Sequence, residues 1–221
     1  MDTGAPIRRR PYDAIKRALD ILFSLLLLIV LSPVFALVSV LVLLNLGRPV
    51  LFVQTRPGRN GRLFRLYKFR SMHALNAAAE QEPAAASDVA AVACDAARLT
   101  RFGRVLRGSS LDELPELVNI LRGDMSFVGP RPLLTEYLPL YSPEQARRHQ
   151  VRPGLTGLAQ VSGRNALDWQ SRFRLDVEYV DRRSFTLDAR ILARTVAAVF
   201  TARGVTGAGT ATMQPFTGNG D

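Results

Sequence analysis

From Ala18 to Leu46 the chain is almost wholly apolar, broken only by Asp20, Ser24, Ser32-Pro33, Ser39 and Asn45. As one straight helix this run would be roughly 44 Å long, against a bilayer hydrocarbon core of about 30 Å. Length alone therefore permits a tilted span. The run lacks a small-residue cleavage site, which argues against a cleaved signal peptide. Pro33 falls near its middle. Proline removes a backbone hydrogen bond and clashes with the preceding turn, so a kink is predicted at Ser32-Pro33, with Ser32 placed to bond a carbonyl that the break frees. Each half is then only about 20 Å long, too short to cross alone. Both flanks are basic: Arg8, Arg9, Arg10, Lys16 and Arg17 before, and Arg48, Arg56, Arg59, Arg62, Arg65, Lys68 and Arg70 after. A span would put one of these clusters on the side that disfavours Lys and Arg. A re-entrant helix that enters and leaves by one face satisfies both features; a kinked span is the other reading.

At 221 residues the rest of the chain is long enough for one good core. A formal net charge of +10 points to an anionic partner, and nucleic acid, anionic lipid and phosphorylated substrate all stay open on charge alone. The single Cys94 excludes an internal disulfide, and only His73 and His149 are present, so a Cys/His zinc site is not expected.

Within this basic chain Asp112 and Glu113 are adjacent, in Ser109-Ser110-Leu111-Asp112-Glu113-Leu114-Pro115. Leu111, Leu114, Val118 and Leu121 form a helical apolar stripe, Gly123 is a plausible stop, and Ser110-x-x-Glu113 fits a capping box that opens the helix. Arg101, Arg104, Arg107, Arg122 and Arg131 surround the pair. Acidic residues are common in a first helical turn simply because they stabilise it. The same layout also suits phosphate chemistry, with one carboxylate as nucleophile and its neighbour holding a metal. Local sequence leaves both readings open.

Two strands are predicted, 49–54 and 62–70, around an Asn60-Gly61 turn. Lys68 and Arg70 share a face of the second and point the same way, towards a phosphate or into solvent as a basic edge. The alanine-rich, acidic stretch 74–97 reads as a weak helix, loop or lid and is assigned no chemistry. Pro130 and Pro132 lock the backbone around Arg131. A helix starts at Ser142-Pro143, a short strand is expected at 158–161, and helices at 167–179 and 186–202, the last amphipathic enough to rest on a membrane or pack on the domain. The residues from Gly204 onward read as a loose tail.

Several of these segments occur together and in order: Ser32-Pro33, Lys68-Phe69-Arg70-Ser71-Met72, Ser110-Leu111-Asp112-Glu113-Leu114-Pro115, Gly123-Asp124-Met125-Ser126, Gly129-Pro130-Arg131-Pro132, Arg152-Pro153-Gly154-Leu155-Thr156-Gly157 and Gly163-Arg164-Asn165. In this the chain resembles the bacterial sugar transferases, the monotopic polyprenyl-phosphate phosphoglycosyl transferases. The likeness runs from about Tyr12 to Ala202 and is nearest the small, single-domain phospho-bacillosamine-type members; the stretch 74–97 is its main departure. The resemblance implies an α+β fold: a basic arm at 1–17, a re-entrant membrane helix at 18–46, a small, mostly helical catalytic domain with a β-hairpin and interfacial amphipathic helices at 47–203, and a tail at 204–221. It implies a monotopic enzyme of the bacterial inner membrane, with its domain on the cytoplasmic face. The implied reaction moves a phospho-sugar from a UDP-sugar, with a UDP-bacillosamine-type donor as one candidate, to polyprenyl (undecaprenyl) phosphate and releases UMP. Asp112 would be the nucleophile, forming an aspartyl phospho-sugar, and Glu113, with Asp112, would bind Mg²⁺. Arg107, Arg131, Lys68 and Arg70 are the expected phosphate ligands and Arg164 a nucleotide-sugar ligand. No nucleic-acid partner is expected. The alternative is a non-catalytic, membrane-anchored basic module that binds anionic lipid or nucleic acid.

Overall fold

The computed structural model describes residues 10–73, 99–163, 167–201 and 215–219. Helix α1 (Pro11–Val30) begins earlier than the apolar run. Residues 11–17, expected in a basic arm, are its first two turns. Pro11 suits a helix start, and the Arg10 amide donates to Asp13 Oδ2 at 2.9 Å. This start is stitched to the domain. Arg10 donates to the carbonyls of Asp181 and Arg183, and Arg183 Nε reaches Asp13 at 3.0 Å. Lys16 pairs with Asp188 at 2.5 Å. Arg17 donates to the carbonyls of Ile120 and Leu121 at 2.6 and 2.9 Å. Asp20, buried within the apolar run, accepts from Ser126 Oγ at 3.1 Å and the Phe127 amide at 3.2 Å.

The chain bends by 63° into α2 (Ser32–Leu46). The physical cause is the one anticipated: Pro33 cannot donate to the Ile29 carbonyl, and Ser32 Oγ takes that carbonyl instead at 2.8 Å. No single described helix is long and apolar enough to cross a membrane; the bent pair passes that test only jointly. Much of its apolar surface is uncovered, including Leu22, Phe23, Leu26, Ile29, Leu37 and Leu44. The opposite side of α2 buries Val38, Val42 and Leu46 against Phe69 and Leu106.

The hairpin forms as predicted. Strands β1 (Leu51–Pro57) and β2 (Leu63–Phe69) pair antiparallel, with Val53 opposite Tyr67. Asn60 and Gly61 both take positive φ in the turn, as its Asn-Gly sequence favours. Past the described break come α3 (Arg101–Gly108), a single 3₁₀ turn (Leu111–Glu113) and α4 (Glu116–Arg122). Gly123, at φ +93°, ends α4 as expected. α4 packs through Leu117 and Ile120 on Leu66 of β2 and on Met125, with Leu27, Leu28 and Leu31 from the bent pair and the break between its helices against the same cluster.

A second, parallel pair joins β3 (Ser126–Val128) to β4 (Gly154–Thr156). The predicted strand at 158–161 is instead helix α6 (Leu158–Ser162), and strand β4 lies in the preceding segment that read as a turn. Close backbone approach explains this: a Cβ on Gly154 would lie 2.1 Å from the Gly129 nitrogen, so glycine here permits strand contact. α5 (Pro143–Ala146) opens with a true capping box between Ser142 and Gln145. α7 (Trp169–Arg182) and α8 (Phe185–Thr201) complete the helices among the described residues. The expected loose tail needs correction at its far part: residues 215–219 are docked. Phe216 is buried among Tyr137, Tyr141, Trp169 and Phe173, because the aromatic faces there would otherwise meet water. The rest of that tail, like the arm residues 1–9 and the stretch 74–97, lies outside the described residues. The architecture is α+β, with two small sheets among helices in the described residues.

Candidate active site

Ser110 sits in left-handed backbone conformation, φ 57°, and its side chain caps nothing. The capping box predicted at Ser110-x-x-Glu113 does not form. The left-handed turn ends α3 and throws the chain into the 3₁₀ turn, so the acid pair lies on a connection between two helices rather than inside one. Glu113 is drawn elsewhere. Its Oε1 accepts from Lys68 Nζ and from Arg131 Nη2, both at 2.8 Å. Lys68 also pairs with Glu116 Oε1 at 3.0 Å. Strand β2 supplies the ammonium, the proline-locked loop after β3 supplies the guanidinium, and the turn before α4 supplies the carboxylates.

The electrostatics separate the three acids. Asp112 is buried, and burial, reinforced by the Glu113 charge, pushes its carboxyl up to about 6; Lys68, Arg107 and Arg131 pull the other way. Burial opposes ionisation of Glu113 too, but Arg131 and Lys68 outweigh it and hold that carboxyl well below the usual range. Glu116, deeply buried, is pushed up to about 7 by burial, with Glu113 adding to the push and Lys68 opposing it. Glu116 was missing from the sequence-based candidates. Its position three residues after Glu113, on one helical face, is the signal that would have found it.

Arg107 stands by the site: its Nε donates to Ser71 Oγ at 3.0 Å, and its charge acts on Asp112. Arg131 is held from behind, its carbonyl accepting from Arg148 Nη2 at 2.7 Å. Arg148 in turn pairs with Asp176, both wholly buried. Arg70 is a correction. Its guanidinium donates to the carbonyls of Leu46, Gly47 and Arg48, the last two at 2.8 and 3.0 Å. It caps the end of α2, because β2 ends there against three unpaired carbonyls, and it is not brought to the acid pair. Arg164 lies outside the described residues.

The residues present fit a hard divalent cation such as Mg²⁺. Among the described residues the Asp112 carboxylate accepts no hydrogen bond, and Glu113 bonds through one oxygen only. Burial and the Glu113 charge raise the cost of ionising Asp112, and such an ion would relieve it. No group of three or more metal-ligating side chains occurs among the described residues. Mg²⁺ commonly takes one or two carboxylates and completes its shell with water and substrate phosphate, which this pair allows.

A buried carboxylate ringed by Lys68, Arg107 and Arg131, in a fold that also carries a bent apolar helix pair, is a setting suited to phosphate chemistry. The model of the bacterial sugar transferase family matches residues 11–202. The chain belongs to that family. It is 45% identical over 207 residues to the sugar transferase EpsL of Bacillus subtilis, covering 94% of this chain and 98% of that one. It is 42% identical over 206 residues to the UDP-glucose:undecaprenyl-phosphate glucose-1-phosphate transferase of Caulobacter vibrioides, covering 90% and 74%. It is 38% identical over 201 residues to the undecaprenyl-phosphate galactose phosphotransferase of Salmonella typhimurium, covering 87% of this chain and 42% of that one.

Proposed function

We propose that this enzyme transfers a sugar 1-phosphate from a UDP-sugar to undecaprenyl phosphate and releases UMP. The observation that carries the reading is the Asp112 carboxylate, buried among cations yet accepting no hydrogen bond from a described residue. An Asp112 oxygen attacks the β-phosphorus of the UDP-sugar. The bond from that phosphorus to the oxygen bridging it to the α-phosphate breaks, and UMP leaves. An oxygen of the lipid phosphate then attacks the aspartyl phospho-sugar; the carboxylate leaves unchanged, and a polyprenyl-diphosphate-linked sugar forms. Two anions must approach a carboxylate, so fixed positive charge is needed. Lys68, Arg107 and Arg131 supply it, already oriented by Glu116, Ser71 and Arg148. Asp112 and Glu113 are the residues that would hold Mg²⁺, which when bound neutralises diphosphate oxygens.

The donor sugar is proposed from relatives named for glucose and galactose; a bacillosamine-type donor belongs in the same test. The bent pair α1–α2, with Lys16 and Arg17 in the first turns of α1 and Arg48 just after α2, supports a re-entrant element that keeps the domain on one face of the bacterial inner membrane, the cytoplasmic one. The test of mechanism is a UMP-release assay with Mg²⁺ and undecaprenyl phosphate over UDP-glucose, UDP-galactose and UDP-bacillosamine. Asp112→Asn should abolish release while leaving membrane binding unchanged. Without acceptor, radiolabelled sugar should remain on wild-type protein and not on the variant. Full turnover by Asp112→Asn refutes the covalent route. For topology, single cysteines at Arg10 and Arg48 in a Cys94→Ser background should be labelled from one face only; labelling from opposite faces refutes re-entry.

A further inference from the structure

Strand β2 uses only one edge for β1. Arg70 donates its amide to Val50 O, so even-numbered residues of β2 turn their amides and carbonyls towards β1 and odd-numbered ones turn theirs away. The outward edge therefore presents the Arg65 carbonyl and the Tyr67 amide. One side chain takes both. The Tyr67 amide donates to Asn119 Oδ1 at 3.1 Å, and Asn119 Nδ2 donates to Arg65 O at 2.7 Å. Asn119 is wholly buried on α4. Its carboxamide does for this edge what a residue of a third strand would.

The placement matters because of what lies on either side. Lys68 follows Tyr67 directly, and Glu116 lies three residues before Asn119 on the same helical face. Farther along, Arg122 Nη1 donates to the Tyr67 hydroxyl at 2.9 Å. The apolar contacts of Leu117 and Ile120 with Leu66 also hold helix to strand, but such contacts are non-directional and permit a slide. A two-point amide clasp fixes the register. We propose that Asn119 is a positioning residue: it sets α4 on β2 and so holds the Lys68 ammonium between Glu113 and Glu116, keeping the acid pair in working geometry. This rests on the reading of Lys68 as part of the phosphate-handling cluster.

The test is a cycle of Asn119→Ala, Lys68→Met and the double variant, with Ile120→Val as a packing control, measured as kcat and KM for UMP release alongside thermal melting. Asn119→Ala should lower kcat about tenfold or more, whereas Ile120→Val stays within about threefold. In the Lys68→Met background, adding Asn119→Ala should cost less than about threefold, because the group it positions is already gone. Should Asn119→Ala fail to fold, Asn119→Ser enters the same cycle under the same criteria. Multiplicative losses in the double variant overturn the proposal, as does a packing control that loses as much activity as the Asn119 variant. A slow Lys68→Met enzyme beside an unimpaired Asn119→Ala enzyme defeats only the positioning role. A Lys68→Met enzyme with wild-type kcat defeats the reading of Lys68 itself.

Discussion

Replacing Arg148 with Met should separate what holds this domain together from what arms its active site. Arg148 and Asp176 have side-chain exposures of 1% and 2%, and Oδ2 of Asp176 accepts from both Nε and Nη2, at 3.0 and 2.7 Å. Burial pushes the Asp176 carboxyl up even with Arg148 beside it, so the pair gains little net stability. Losing one partner is different, because it strands a carboxylate in the interior. The expected cost of Arg148→Met is about 3–5 kcal/mol. For a domain of this size that lowers Tm by roughly 6–20 °C. The only tryptophan in the chain, Trp169, stacks on Phe173 at 5.5 Å, and Arg148 lies over the same Phe173 ring. Intrinsic fluorescence in detergent or nanodiscs thus reports the transition at the right place. Arg148→Met with Asp176→Leu should recover most of the lost stability, since neither member of the pair is left behind in the interior. It should not recover activity, because the Arg131 carbonyl still lacks its donor. Loss of one charge-assisted hydrogen bond predicts kcat/KM down about tenfold or more. A single variant that melts within 2 °C of wild type (about 1 kcal/mol or less), or a double variant as unstable as the single, refutes this reasoning.

His149 should make the fold acid-sensitive. It donates from Nδ1 to the Gly58 carbonyl, and burial, then the Arg148 charge, pulls its pKa down to about 3. The unfolded chain binds that proton near pH 6.5 and the folded chain does not, so stability falls as pH drops from about 6.5 towards 3, by up to about 1.4 kcal/mol per unit. Urea melts at pH 7, 6 and 5 should show a slope that His149→Phe reduces. In the absence of Mg²⁺, Asp112 should take up a proton at about pH 6, and Arg131→Met should move that titration upward by removing a charge that favours the carboxylate; carboxyl carbon NMR titrations of metal-free protein check both. Two glycines of α3 should behave oppositely. A Cβ on Gly103 would lie 1.8 Å from the Ser71 carbonyl oxygen, so Gly103→Ala should cost about 1–3 kcal/mol or more and disturb the Arg107–Ser71 contact. Gly108 has nothing within 4 Å of that position, and Gly108→Ala should stabilise by about 0.5–1 kcal/mol in the same melts.

The legible parts were those whose cause is local. Pro33 dictates the bend and names the carbonyl Ser32 must rescue; Asn60-Gly61 dictates the hairpin turn; Gly123 dictates the end of α4. Asp112, Glu113, Lys68, Arg107 and Arg131 do come together, as the motif-level resemblance implied. The misreadings share a cause, which is that distant partners decided the outcome. Ser110 has the sequence of a cap, but Lys68 and Arg131 claim the Glu113 side chain that would complete it. Arg70 has the alternation of a site residue, yet the end of α2 sits within its reach. Residues 11–17 look like a free basic arm until Asp188, Ile120 and Leu121 are seen as their partners. Phe216 follows a Gly- and Thr-rich stretch, and only the assembled aromatic cluster gives it a place.

The bonds from Arg17 to the end of α4 and from Asp20 to β3 have a practical consequence for anyone splicing this chain with a relative. They fix the rotational phase of α1 as it leaves the domain. One residue inserted between Asp20 and Ser32 would turn everything beyond it by about 100° and carry it about 1.5 Å onward. Val38 and Val42 would then swing out from beneath Phe69, and the uncovered apolar stripe would rotate inward. Chimaeras should keep their joints outside residues 10–48, or preserve the residue count within them to the last one.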